Sequence, residues 1–138
     1  MNVSERIQAL RSLMQEAGWD AVVISGTDPH GSEYLPERWQ QRKWISGFTG
    51  SYGTVVVTHK HAGLWTDTRY FIQSRKELEG SEFVMHPLRV PDAVDYPEWL
   101  AGNLKHGAVV GIDGECLTYR ETEHLKQVLK PLKAGIEN

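Results

Sequence analysis

Ile7, Leu10, Leu13, Met14 and Ala17 recur at helical spacing, which predicts an amphipathic helix at the start of the chain. Asn2 or Ser4 can cap it, with Asn2 and Glu5 at capping-box spacing, and Gly18 can close it in a left-handed turn. The pattern then changes. Ala21-Val22-Val23-Ile24 is a continuous apolar run, as expected of a strand covered on both faces. Gly26 to Ser32 reads as a polar loop, and Glu33 to Lys43 as a short helix started or interrupted near Pro36. Thr54-Val55-Val56-Val57-Thr58 is rich in β-branched residues. With His59-Lys60-His61 as a compact turn and Ala62 to Thr66 as the return, it predicts an antiparallel hairpin.

Thr68 to Leu78 reads as helix, with Phe71, Ile72 and Leu78 on one side and Gly80 as its stop. Glu82 to Leu88 alternates as a strand, with Phe83, Met85 and Leu88 apolar. Pro91 to Pro97 is loop or helix start, and Trp99, Leu100 and Leu104 predict a helix ending at Gly107. Val109-Val110-Gly111-Ile112 is another buried strand. Thr118 and Glu121 form a capping box for a last helix, with Leu125, Val128, Leu129 and Leu132 apolar and Pro131 weakening or ending it. The tail from Lys130 to Asn138 shows no closing element, and a further strand or a linker is expected beyond it. The fold class is α/β: a mixed sheet of about five strands with helices packed on it, as one domain over residues 1–138.

Composition narrows the function classes. Of 138 residues, 40% are hydrophobic and 24% charged, which is ordinary for a globular domain with a real core. A net charge of -3 lacks the basic face that nucleic acid requires. No apolar run approaches the ~20 residues of a membrane helix, and the N-terminus is not an apolar signal sequence. The single cysteine, Cys116, excludes an internal disulfide and fits a reducing compartment, so cytoplasmic is the expected location.

Two segments carry chemistry: Trp44-Ile45-Ser46-Gly47-Phe48-Thr49-Gly50-Ser51, and Trp65-Thr66-Asp67 followed by Arg69-Tyr70-Phe71. With Glu33-Tyr34, these blocks resemble the N-terminal domain of aminopeptidase P (Xaa-Pro aminopeptidase) in the creatinase/prolidase family, in family order and over nearly the whole chain. Thr68 stands where the family often has Gly, and Tyr52 where it often has Ala. The resemblance implies a ribonuclease-H-like domain that precedes a catalytic domain binding two divalent metals, usually manganese. That second domain removes an N-terminal residue when proline follows it, and none of its ligands lies in this sequence. The resemblance also implies that this domain pairs subunits into a homodimer and borders the substrate entrance. It makes Arg69 the best candidate for a substrate contact, with Asp67 and Tyr70 beside it, and leaves the chain alone inactive. The alternative is a free-standing interaction or ligand-binding module of the same fold.

Each candidate has a plainer reading. Asp67 can simply cap the following helix, and Arg69 can make a surface ion pair. His59 and His61 could place two metal ligands on one side of a turn, but no third ligand has matching spacing, so a solvated turn is favoured. Asp20, Asp67, Asp113 and Glu115 near strand ends could bind magnesium for nuclease chemistry, against which stands the missing basic face. Ser46 and Ser51 fit no nucleophile or phosphate-loop frame, and Cys116 has no base beside it. Among the aromatics, Trp65 is expected in the core, and Trp39 and Trp44, amid Arg38, Gln40, Gln41, Arg42 and Lys43, are the interface candidates.

Overall fold

The computed structural model describes residues 3–25, 53–66, 71–88, 90–112 and 119–137. In chain order its elements are α1 (Val3–Ala17), β1 (Ala21–Ser25), β2 (Thr54–Thr58), β3 (Ala62–Thr66), α2 (Phe71–Leu78), β4 (Phe83–Pro87), α3 (Tyr96–Asn103), β5 (Val109–Ile112), α4 (Tyr119–Leu129), a 3-10 turn (Lys130–Leu132) and β6 (Gly135–Glu137). The strands form one sheet in the order β4-β3-β2-β1-β5-β6. β2 runs antiparallel to both its neighbours, and the β3–β4, β1–β5 and β5–β6 pairs are parallel. Five strands therefore point one way and β2 alone points back.

Alternation along each central strand feeds two cores. Val22, Ile24, Val55, Val57, Ala62, Leu64 and Phe83 face α1 and α2. Ala21, Val23, Val56, Trp65, Val110 and Ile112 face α3 and α4. This explains why the Val-rich runs are continuously apolar: a strand between two helical layers has no polar side.

Helix α1 lays Ile7 and Met14, seven residues apart, on the first core. Leu13, although on the helical pattern, is 62% exposed. Gly18 ends the helix at φ +75°, with Trp19 N–H bonded to Met14 O at 2.8 Å and Gly18 N–H to Gln15 O at 3.2 Å. That left-handed position is the reason for a glycine there. Gly80, at φ +79°, ends α2 in the same way. In α2 the buried positions are Ser74 and Leu78, and Ile72 is 80% exposed. Ile72 thus falls outside the expected stripe, because its position on the helical wheel does not coincide with that of Ser74 and Leu78.

Helix α3 begins at Tyr96, within the expected start between Pro91 and Pro97, and stops at Asn103, short of the expected end at Gly107. Asp95 caps it, accepting the Tyr96 N–H at 2.7 Å, with Pro97 in the first turn where no N–H is needed. Pro131 lies in the 3-10 turn that follows α4. The sheet has six strands among the described residues, where about five are expected from sequence. The sixth is the tail segment Gly135–Glu137, which pairs with β5. The segments 26–52, 67–70 and 113–118, which include the expected helix from Glu33 to Lys43, Thr118, Cys116, Ser46 and Ser51, lie outside the described residues.

Gly111 on β5 sits beneath the indole of Trp19, and a Cβ there would meet inner atoms of that ring. Gly111→Ala is expected to lower stability by about 1–3 kcal/mol through overpacking. Gly102 in α3 has open space around it. Gly102→Ala should be neutral or stabilising by up to ~1 kcal/mol. Urea denaturation midpoints of the two variants check both signs.

Candidate functional site

At the parallel strands' carboxyl end, Ser25, Thr66 and Ile112 are the last residues of β1, β3 and β5, and Thr54, paired with Ser25, is the first of β2. Asp67 follows Thr66 directly in sequence. Asp67, Arg69, Tyr70, Trp39 and Trp44 all lie outside the described residues, as do Asp113 and Glu115.

Asp20 is described and lies at the opposite end. One carboxylate oxygen accepts the Val109 N–H at 2.9 Å, and the other lies 3.7 Å from Lys105 Nζ. The Asp20 N–H in turn donates to Val109 O at 2.7 Å. The residue therefore ties the amino ends of β1 and β5 together. Ile112, the last residue of β5, lies at the far end, a strand length or ~10 Å away. Asp20 does not belong to a carboxylate cluster at the carboxyl end.

The densest chemistry among the described residues is an aromatic and imidazole cluster beside the second core. Trp65 is fully buried and donates its indole N–H to Val94 O at 2.9 Å. The His86 ring stacks on it, with centroids 3.9 Å apart and planes 6° apart. Cross-strand register places the two side by side on β3 and β4. Gly63, two residues before Trp65 on the same face, makes room for the stack. A Cβ there would stand 2.6 Å from the Trp65 ring and 2.9 Å from the His86 ring. Trp99 from α3 closes the cluster edge-on to Trp65 at 5.4 Å and lies 4.7 Å from the His61 ring.

His61 Nε2 and His86 Nε2 are 2.9 Å apart, and the ring centres 5.2 Å apart. The centre separation exceeds the nitrogen separation by about the two ring radii, so the nitrogens meet head-on. One ring donates its N–H and the other accepts. Two metal ligands would instead aim their lone pairs at a common third point, and these do not. Among the described residues no group of three or more His, Cys, Asp and Glu side chains is placed to hold a metal ion. The described part of the chain does not fit a metal centre.

Burial holds the His86 ring down to about 4, with His61 beside it adding to the effect. The His61 ring is also lowered, first by burial and then by the Arg11 guanidinium, with Glu82 opposing. Arg11 reaches this region from α1, donating to Thr58 O at 2.8 Å and pairing with Glu82 at 2.6 Å. The solvated turn expected for His59-Lys60-His61 is therefore only half right. The backbone is a tight turn, with the Thr58 N–H bonded to His61 O at 2.8 Å and Thr58 Oγ1 accepting the His61 N–H at 2.9 Å. His61 turns inward to His86, and His59 is exposed and bonds Trp19 O at 3.0 Å. Sequence spacing could not find the His61–His86 pair, because it depends on the β3–β4 register.

Beside the cluster opens a cleft of about 550 Å³, lined at the hairpin tip by Thr58, His59, Lys60 and His61, with Asp20. Trp99, Asn103, Leu104 and Lys105 at the end of α3 form its other wall.

The Creatinase/Prolidase N-terminal domain family matches residues 6–135. Aminopeptidase P2 of Arabidopsis thaliana is 42% identical over 129 residues, spanning 92% of this chain and 18% of that protein. The crystal structure of X-prolyl aminopeptidase from Caenorhabditis elegans, described as a cytosolic enzyme with a di-nuclear active site, superposes with a TM-score of 0.91 at 32% identity. It covers 99% of this chain and 24% of its own. The N-terminal domain of a putative metallopeptidase from Corynebacterium diphtheriae, solved as a chain of its own, shares the fold with a TM-score of 0.71 at 20% identity, covering 99% of this chain and 95% of its own. This chain thus spans about a fifth to a quarter of the full-length relatives and nearly all of the separate domain.

A depressed histidine sets the sign of the acid response. Above its ordinary value of 6.5, His86 is neutral in folded and unfolded chains alike. Between 6.5 and about 4 the unfolded chain takes up a proton that the folded one refuses. Stability is thus complete above pH 6.5 and falls as pH drops toward 4. After discounting for the half-exposed ring, the loss is about 1–2 kcal/mol. Urea midpoints at pH 7 and pH 4.5 measure it. His86→Phe, which keeps a ring over Trp65, should flatten that part of the slope, and an unchanged slope would contradict the assignment.

Proposed function

We propose, from the premise that this chain belongs to the creatinase/prolidase N-terminal domain family, that it serves as the non-catalytic N-terminal domain of a metal-dependent Xaa-Pro aminopeptidase. The observation that carries the reading is the family match over residues 6–135, joined to a superposition on an X-prolyl aminopeptidase that uses 99% of this chain but 24% of the enzyme. In this reading the chemistry resides in a further domain that holds two divalent metals, manganese by preference. The parent enzyme acts in the cytoplasm on peptides with proline second, as a homodimer. The present domain borders the substrate entrance and supports subunit pairing.

Arg69 is the residue proposed to touch substrate, with Asp67 and Tyr70 beside it. Its planar fork suits a peptide carbonyl or carboxylate. The placement of the strand ends supports this. β1, β3 and β5 finish at one end of the sheet, and ligands of open α/β sheets bind outside the carboxyl ends of strands. Trp39 and Trp44 are proposed for the subunit contact, because Trp carries binding energy where it is buried between partners.

The size of the source polypeptide is the decisive test. An immunoblot of source-cell lysate should show a band larger by a further domain, at least ~100–200 residues. A band matching 138 residues would overturn the peptidase reading and favour a free-standing binding module. In the parent enzyme, Arg69→Ala should lower kcat/KM on an Xaa-Pro peptide by roughly tenfold or more, the loss of one charge-assisted hydrogen bond. Metal content should not change. The 138-residue chain alone, supplied with manganese, should release no amino acid from the same peptide.

A further inference from the structure

We propose that the cleft between the β2–β3 hairpin tip and the end of α3 is a second ligand site, which takes a small organic carboxylate with a flat apolar body. It lies at the end of the sheet opposite Thr66, the last residue of β3, and does not rest on the peptidase reading.

The volume, about 550 Å³, is within the range of small-molecule sites. Its lining combines an apolar platform with positive charge. The platform is the indole of Trp99, with the His61 imidazole packed against it, ring centres 4.7 Å apart and planes tilted by 34°. His61 is committed to His86, and burial keeps its ring below the ordinary histidine range, so it meets a ligand as a neutral ring. The charge comes from Lys60 at the hairpin tip and Lys105 after α3. Asp20 is the one carboxylate in the described lining. Its oxygens are engaged by the Val109 N–H and, at 3.7 Å, by the Lys105 ammonium. That engagement disfavours a cationic ligand. It leaves a lysine in excess, so the balance of the cleft is positive. A bare inorganic anion would use the lysines and waste the platform. A neutral aromatic would do the reverse. A planar carboxylate uses both, its charge between the ammonium groups and its ring over Trp99.

The platform is held in place for this. Asp95 caps α3 and Tyr96 packs in the second core, which fixes the helix carrying Trp99. The Asn103 amide donates to Trp99 O at 2.7 Å.

The test is a titration of the full 138-residue chain with benzoate, followed by backbone and indole N–H chemical shifts. Benzyl alcohol and acetate serve as matched controls for ring and charge. A domain of this fold solved as a separate chain supports the use of this one alone. The expected result is a saturable shift centred on Lys60, His61, Trp99 and Lys105, weaker or absent with either control. The double variant Lys60→Ala/Lys105→Ala changes exposed side chains only and should weaken benzoate by about tenfold or more. Equal response to benzyl alcohol would overturn the charge selection, and equal response to acetate would overturn the platform. Shifts that do not saturate, or that the double variant leaves unchanged, would overturn the site.

Discussion

The described architecture depends on Trp65. Among the described residues it is the largest fully buried side chain, and three elements meet on it. Its ring needs the bare backbone of Gly63 beneath it, takes His86 of β4 flat against it, and meets Trp99 and Tyr96 of α3 edge-on. Its N–H holds Val94 O, just ahead of the Asp95 cap. One side chain therefore sets the β3–β4 register, the approach of the connection into α3, and the tilt of the helix that lines the cleft. Truncating a buried Trp typically costs 3–5 kcal/mol. Here it would also release a buried N–H partner and the stack, so the loss would be structural before it was energetic.

The second constraint is the reversed strand. β2 is sandwiched between β1 and β3 and runs against both. The start of β2 therefore shares an end of the sheet with the finish of β1 and β3, while its turn to β3 lies at the other. That single reversal sorts the chemistry-bearing residues. The blocks that carry the family resemblance attach at the carboxyl end. The hairpin tip, Asp20 and the end of α3 gather at the amino end. It also removes the magnesium-nuclease arrangement for Asp20, which is spent on joining β1 to β5.

Legibility in the sequence followed from how local each cause is. Ala21 to Ile24, Val55 to Val57 and Val109 to Ile112 announce buried strands because burial on both faces leaves no room for polar residues. Gly18 and Gly80 announce helix ends because a left-handed residue is needed there. β6 was hidden: Gly135-Ile136-Glu137 has one apolar side chain, and only pairing with β5 makes it a strand. Leu13 and Ile72 misled because they sit on helices but off the buried stripe. His86 could be assigned to the face opposite Phe83 and Met85 by alternation. Its partner could not, since His61 lies 25 residues away across a register that only the fold supplies.

The two ends of the sheet are also separable as functions. β3 has five residues, so its ends are ~13 Å apart along the strand, beyond the ~7–10 Å at which substitutions usually couple. Between them stands a packed core. Changes to Lys60 and Lys105 therefore act on the amino end through local charge. β1, β2, β3 and β5 all run from one end to the other, and of these β3 joins the hairpin tip in the cleft wall to Thr66 and carries Trp65. Its ring lies flat on His86, which in turn bonds to His61 in the cleft wall. That stack links the cleft wall to Trp65, and enlarging Gly63, two residues after His61, would disturb it from the amino end.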